Sequence, residues 1–343
     1  LNQSVAECIQ NIAKIVPSII QPHLQTIIPI FTELLSIDTE INPDNEKETK
    51  TEENDDDQEE EEEEEETETI KMQCAILMAI SELVTDLPSE MESSVSEIVN
   101  AVCHFLKHSS YHLKSSAAKS ILLMNDGLRS VSFDTSPLIS TVIETIYTIP
   151  NIYINVISQL FFSLGYLLSG TSFESLNQEQ LESIIKLFQC AFDQGEKGLK
   201  TIYSSPKDLD QEILNSLFFC LRMFILTLGS NLESESLSDI LISFICPHLE
   251  SKKGMIKAFI ANVYGIMFFV APSLKQVGKT ACDVCFNSMT KKNEDINNIL
   301  ISTLNYVINA DKSLISSKQM NFLKKKCDDI IKNREEMNSF IVS

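Results

Sequence analysis

Three clusters in this sequence combine residue types and spacings that could do chemistry. Cys103, His104, His108 and His112 set three imidazoles four residues apart beside a thiol, and two His at i and i+4 on one helix can hold zinc. Against this, Ser109-Ser110 reads as a turn that separates His112 from the others, and no carboxylate of the HExxH kind stands nearby. Solvated histidines at a helix end account for the pattern. Cys282-Asp283-Val284-Cys285 is a single CxxC. A zinc ribbon needs a second pair and a redox site needs a βαβ context, and neither is legible here. Gly278-Lys279-Thr280 has the last three residues of a phosphate-binding loop, but Ser273 stands where its first Gly is required, and no strand leads into it. No G-x-S-x-G occurs, and no two acids are set in an apolar run as acid–base work would need. The expectation is therefore a non-enzyme with no catalytic, metal or cofactor site.

What remains is charge, and it is unevenly spread. The 343 residues carry a formal charge of -22. Between Asp44 and Thr69 there are 17 acidic and 2 basic residues, with eight consecutive glutamates, Glu59, Glu60, Glu61, Glu62, Glu63, Glu64, Glu65 and Glu66. Like charges at i, i+4 repel, and such a block cannot bury enough surface to fold. A disordered loop over 38–69 is expected. An acidic tract excludes direct nucleic-acid binding as a leading role, because phosphates need a basic surface. It serves either as a solubiliser or as an electrostatic trap for a basic protein. The nine Cys are scattered, mostly in apolar runs (Cys8, Cys74, Cys103, Cys190, Cys220, Cys246), and read as free thiols used as small core residues in a reducing compartment.

The elements that would position these residues are helices. Leu1, Val5, Cys8, Ile9, Ile12, Ala13 and Val16 follow the i, i+4, i+7, i+8 rule, and Pro17 ends the run. Ile20, Leu24, Ile27, Ile28, Phe31, Leu34 and Leu35 repeat it, with Pro29 predicting a kink. The pattern resumes in pairs: 70–86 with 88–107, 111–125 with 136–148, 151–169 with 176–192, 209–229 with 235–249, 252–271 with 273–289, and 293–309 with 313–334. No segment alternates with period two between hairpin turns, and no run of about 18 uninterrupted apolar residues predicts a membrane span. Seven pairs outside the acidic segment average about 44 residues each, the length of a HEAT-type helical hairpin. The reading is an all-α α-solenoid: a HEAT repeat at 1–37, the acidic loop at 38–69 and a repeat array at 70–343. With no initial Met and no basic-then-apolar leader, the chain is expected to be a segment of a longer protein.

Several helices resemble those of the importin-β (karyopherin-β) family. Leu1-Asn2-Gln3-Ser4-Val5-Ala6-Glu7-Cys8-Ile9 and Tyr111-His112-Leu113-Lys114-Ser115-Ser116-Ala117-Ala118-Lys119-Ser120 look like its HEAT helices, the second with Lys114 where an Arg is usual. Pro22-His23-Leu24 followed by Ile27-Ile28-Pro29-Ile30-Phe31 is similar to its proline-rich helices. Ile70-Lys71-Met72-Gln73-Cys74-Ala75 after the acidic segment, and Ile245-Cys246-Pro247-His248 later, resemble importin-5-type receptors in order as well as pattern. The acidic stretch of the later repeats is reduced to the mixed loop from Asp193 to Gln211, and the aromatic-rich last repeats are less recognisable.

The resemblance implies a monomeric nuclear transport receptor that shuttles between cytoplasm and nucleus. It implies basic protein cargo held on the inner face, the GTPase Ran, whose main contacts lie in repeats upstream of these, and Phe-Gly repeats of nucleoporins held between outer helices. On that reading second helices line the inner face, and Glu90, Glu97, Glu144, Glu179 and Glu182 fall on them, as solvated surface or as cargo contacts. Phe161, Phe162, Phe218 and Phe219 fall on first helices, as core or as nucleoporin clefts. The rival reading is a HEAT scaffold or regulatory subunit of another complex.

Overall fold

The computed structural model describes residues 3–37, 67–149, 153–192, 209–251, 253–289 and 293–326. Its elements are helices, and among the described residues there is no strand. They form seven hairpins. The first helix of each is α1 (Gln3–Ile15), α4 (Glu68–Asp86), α7 (Tyr111–Ser130), α9 (Ile154–Ser169), α11 (Leu209–Leu228), α13 (Gly254–Val270) and α15 (Glu294–Ala310). The second helices are α2 (Pro17–Ile20) leading into α3 (Leu24–Leu35), α5 (Pro88–Met91) leading into α6 (Val95–Lys107), α8 (Ser136–Thr148), α10 (Gln178–Phe192), α12 (Glu235–Ile245), α14 (Lys275–Ser288) and α16 (317–326).

The sequence accounts for where these helices start and stop. Pro17 and Pro88 sit at the first turn, where a missing N–H costs nothing. In both hairpins one helical turn then tightens into a 3₁₀ turn, Gln21–His23 and Glu92–Ser94, before the long helix begins. Thr67 caps α4, its Oγ1 accepting from Ile70 N at 3.3 Å, so α4 begins two residues earlier than the periodicity predicts. Pro29 does not end α3, which continues to Leu35. Pro247 turns the end of α12 into a 3₁₀ segment, Cys246–Glu250.

The chain forms two compact units, Leu1–Cys220 and Leu221–Ser343, divided inside α11. In the first unit the helices stack in two layers. First helices follow one another, α1 on α4, α4 on α7, α7 on α9. Second helices do the same, α3, α6, α8, α10, and α3, α6 and α8 each also touch the first helix of the next hairpin. Each hairpin thus buries its apolar faces against its sequence neighbours, the defining economy of a repeat stack. In the second unit α13 packs on both α14 and α15.

Close approach between first helices depends on small residues. α1 turns Ala6 and Ala13, both fully buried, toward the stack. Gly127 lies inside α7, where a Cβ would overlap the Val84 carbonyl oxygen and stand 2.7 Å from its carbon. This corrects the sequence expectation that α7 ends near residue 125. Asn125-Asp126-Gly127 resembles a helix stop, but the glycine is a packing position and the helix runs on to Ser130. At the far end of α7, Arg129 Nη2 donates to Tyr166 O at 2.8 Å and to Ser169 Oγ, capping α9 across the repeat boundary.

The segment Glu212–Glu233 has a mean hydropathy of 1.7 and the length to cross a membrane. Its Leu217, Phe218, Leu221, Phe224 and Ile225 are at most 1% exposed, so it is a core helix.

Candidate binding surface

Between the second helices of the first two hairpins lies a groove of about 590 Å³. Its walls come from α3 and from the α5–α6 segment. Helical periodicity makes it amphipathic. Leu24, Ile28 and Met91 turn inward and form an apolar floor, each 6% exposed or less. Glu33, Glu90 and Glu97 also line the groove and are exposed. Pro29 has no N–H to give, so the Gln25 carbonyl loses its helical partner, and both residues line the groove. Glu90 Oε1 accepts from Gln21 Nε2 at 2.7 Å, which ties the two hairpins together beside the groove. The arrangement offers three carboxylates and a spare carbonyl around an apolar bed, which suits lysine or arginine side chains with their aliphatic stems laid down.

The acidic run Glu59 to Glu66 lies outside the described residues, but the chain on either side of it is firmly placed. Ser36, next to the tract, lines the groove. Gln73 Nε2 donates to Leu34 O at 3.3 Å and Ile37 O at 2.9 Å, fixing the exit from α3 onto α4. The tract therefore leaves the fold at one end of the groove.

The other candidate acids are arranged differently. Glu97 lines the groove, whereas Glu144 is engaged by Lys107 Nζ at 2.6 Å from the neighbouring second helix. Glu182 accepts from Gln178 Nε2 at 2.7 Å one turn away, and Glu179 is exposed on the same helix. Glu33 was not a sequence candidate. Its signal was available: it stands five residues after Ile28 in α3, off the buried Leu24-Ile28-Phe31-Leu35 stripe.

The four phenylalanines separate into two kinds. Phe161 is 0% and Phe218 1% exposed, so these two are core side chains and do not line a surface cleft. Adjacent positions on a helix point about 100° apart, and a buried Phe161 turns Phe162 outward. Phe162 and Phe219 are half-buried, with ring centroids 5.5 Å apart, and Tyr166 joins them at 4.9 Å from Phe219. Gly165 permits this, because a Cβ there would stand 2.7 Å from the Phe219 ring. Tyr166, 42% exposed, completes an aromatic patch between α9 and α11 that the sequence reading missed. A second pair lies between α13 and α15, Phe269 with Tyr306 at 5.6 Å.

The thiols and imidazoles have structural surroundings. His108 ends α6 with an extended backbone, and its Nδ1 accepts from Ser110 N at 3.0 Å. His112 begins the next helix, so the three histidines do not share one face. No group of three metal-ligating side chains occurs among the described residues. Cys220, Cys282 and Cys285 are buried, but Cys8 and Cys246 are exposed, which corrects their assignment to the core. Desolvation pushes the Cys282 thiol up to about 11 and the Cys220 and Cys285 thiols well up too. The thiolate is the reactive species. At pH 8 a soluble disulfide reagent is therefore expected to modify Cys8 and Cys246 and leave Cys220, Cys282 and Cys285 intact until the protein unfolds. Peptide mapping checks this; rapid native labelling of Cys285 would contradict its burial.

No family model matches the chain, and no curated protein matches it. Among solved structures, the karyopherin Kap121p, in a crystal structure bound to the SUMO protease Ulp1p, aligns over 90% of this chain with TM-score 0.53 and 12% identity. An engineered protein aligns over 93% of it with TM-score 0.27 and 10% identity, too low to bear on the fold. The chain spans about a third of the length of the karyopherin, 35%. At that identity the likeness shows the fold alone: this chain is an all-helical α-solenoid of the karyopherin type.

Proposed function

We propose that the chain is part of a nuclear transport receptor that captures basic protein segments without chemistry. The observation that carries this is the groove between α3 and α6, where Glu33, Glu90 and Glu97 surround an apolar floor directly beside the 17-acid tract. A tract of this kind raises the local concentration of a cationic segment, and the groove holds its side chains. The karyopherin neighbour holds a protein in its crystal structure, which supports reading this fold as a protein-binding one. The half-buried Phe162, Phe219 and Tyr166 patch between first helices is where Phe-Gly repeats would dock, and Ran binding, cargo release and shuttling between cytoplasm and nucleus belong to the same proposal.

The test is binding of a fluorescent lysine-rich peptide by stopped flow. Saturable binding that weakens steeply with salt is expected. Deleting residues 44–66 is expected to slow association roughly tenfold at low salt and little at about 0.5 M, where the Debye length falls to a few ångströms. An unchanged association rate would return the tract to a solubiliser. No retention on Phe-Gly repeats at moderate salt would favour a scaffold of another complex over a transport receptor.

A further inference from the structure

The second unit carries the opposite charge to the first unit's groove, and nothing in the cargo reading uses it. Between residues 251 and 326 there are 12 Lys, no Arg and 4 acidic residues, in a chain whose total charge is -22. Four of these lysines stand on the last two second helices. Lys275 and Lys279 are exposed on α14, one turn apart; Lys318 and Lys325 are exposed on α16. The two helices meet through their aromatic rings, Phe286 of α14 lying 6.3 Å from Phe322 of α16. Phe322 is 41% exposed, and Lys326 Nζ sits 5.9 Å above its ring. The result is an aromatic strip with ammonium groups on the helices to both sides.

We propose that this strip between α14 and α16 is a docking surface for a short acidic segment of a partner protein. Charge complementarity selects an anion, and the exposed ring asks for an apolar side chain between the carboxylates. Lysine supplies flexible point charges that follow a mobile carboxylate, where arginine's fork would favour fixed planar recognition. Lys318 to Lys325 spans about 10 Å of helix, the length of three extended residues. A segment of the pattern acid-acid-apolar-acid-acid matches it. The overall negative field of the chain disfavours a long polyphosphate, whose affinity grows with the number of phosphates neutralised.

The experiment is fluorescence anisotropy of a labelled Glu-Glu-Leu-Glu-Glu peptide titrated into the full chain at low salt. Saturable binding is expected. Lys279→Glu and Lys325→Glu should each weaken it about fivefold, and Phe322→Ala severalfold with the salt dependence unchanged. Lys253→Glu, an exposed position on neither helix, should leave it within twofold. Absence of binding, equal losses from Lys253→Glu, or tighter binding of an oligouridine RNA would overturn the proposal. So would binding that appears only after residues 44–66 are deleted, since the site would then belong to the chain's own tract.

Discussion

Gly127→Ala is expected to destabilise the protein by about 3 kcal/mol, although Ala is the better helix former by roughly 1 kcal/mol. The sign is the point. In an exposed helix the substitution stabilises, because glycine loses more backbone freedom on folding. Here the added methyl meets the Val84 carbonyl group, and backbone cannot swing aside as a side chain can. α4 and α7 must separate, and every contact along that interface loosens. Gly165→Ala should cost less, since the atoms it meets first belong to the Phe219 ring, which can rotate outward. Urea denaturation midpoints of the two variants and of Lys119→Ala, an exposed position on α7, give the ranking. A Gly127→Ala protein as stable as the parent would mean the two helices do not approach as closely as described.

The second large effect is in binding. Replacing Glu33, Glu90 and Glu97 together with Lys is expected to weaken a lysine-rich peptide about a hundredfold at low salt, roughly fivefold for each reversal. All three side chains are exposed, so the fold should tolerate the change. Because any added positive charge repels a cationic peptide, the comparison is with Glu174→Lys, Glu233→Lys and Glu250→Lys, an equal change of charge outside the groove. That control is expected to cost fivefold or less. Equal losses from the two triples would leave only a diffuse field and no groove.

Much of this fold is legible in the sequence because it is written locally. A repeat stack makes its contacts between sequence neighbours, so the 3.6-residue period and the punctuating prolines carry most of the information. Pro17 and Pro88 start second helices as their chemistry requires. What was not legible needs knowledge of the neighbouring helix. Gly127 is indistinguishable from a helix stop until Val84 is seen beside it. Phe161 and Phe162 are equivalent as letters, and only the packing of α9 assigns one to the core and the other to a patch. The groove was half visible: Glu90 and Glu97 were candidates, but Glu33 comes from the preceding hairpin, which the acidic tract separates from them in sequence. Glu144 was a candidate on equal grounds, and only the structure shows Lys107 at its carboxylate. Charge alone cannot tell an acid that awaits a partner from one that already has it.

The most direct measurement is hydrogen exchange of the full chain with and without a saturating lysine-rich peptide. Slower exchange is expected in residues 21–36 and 88–100, on the two sides of the groove, with α13 and α15 unchanged. Protection spread evenly over all second helices, or confined to the second unit, would contradict capture by the groove between the first two hairpins.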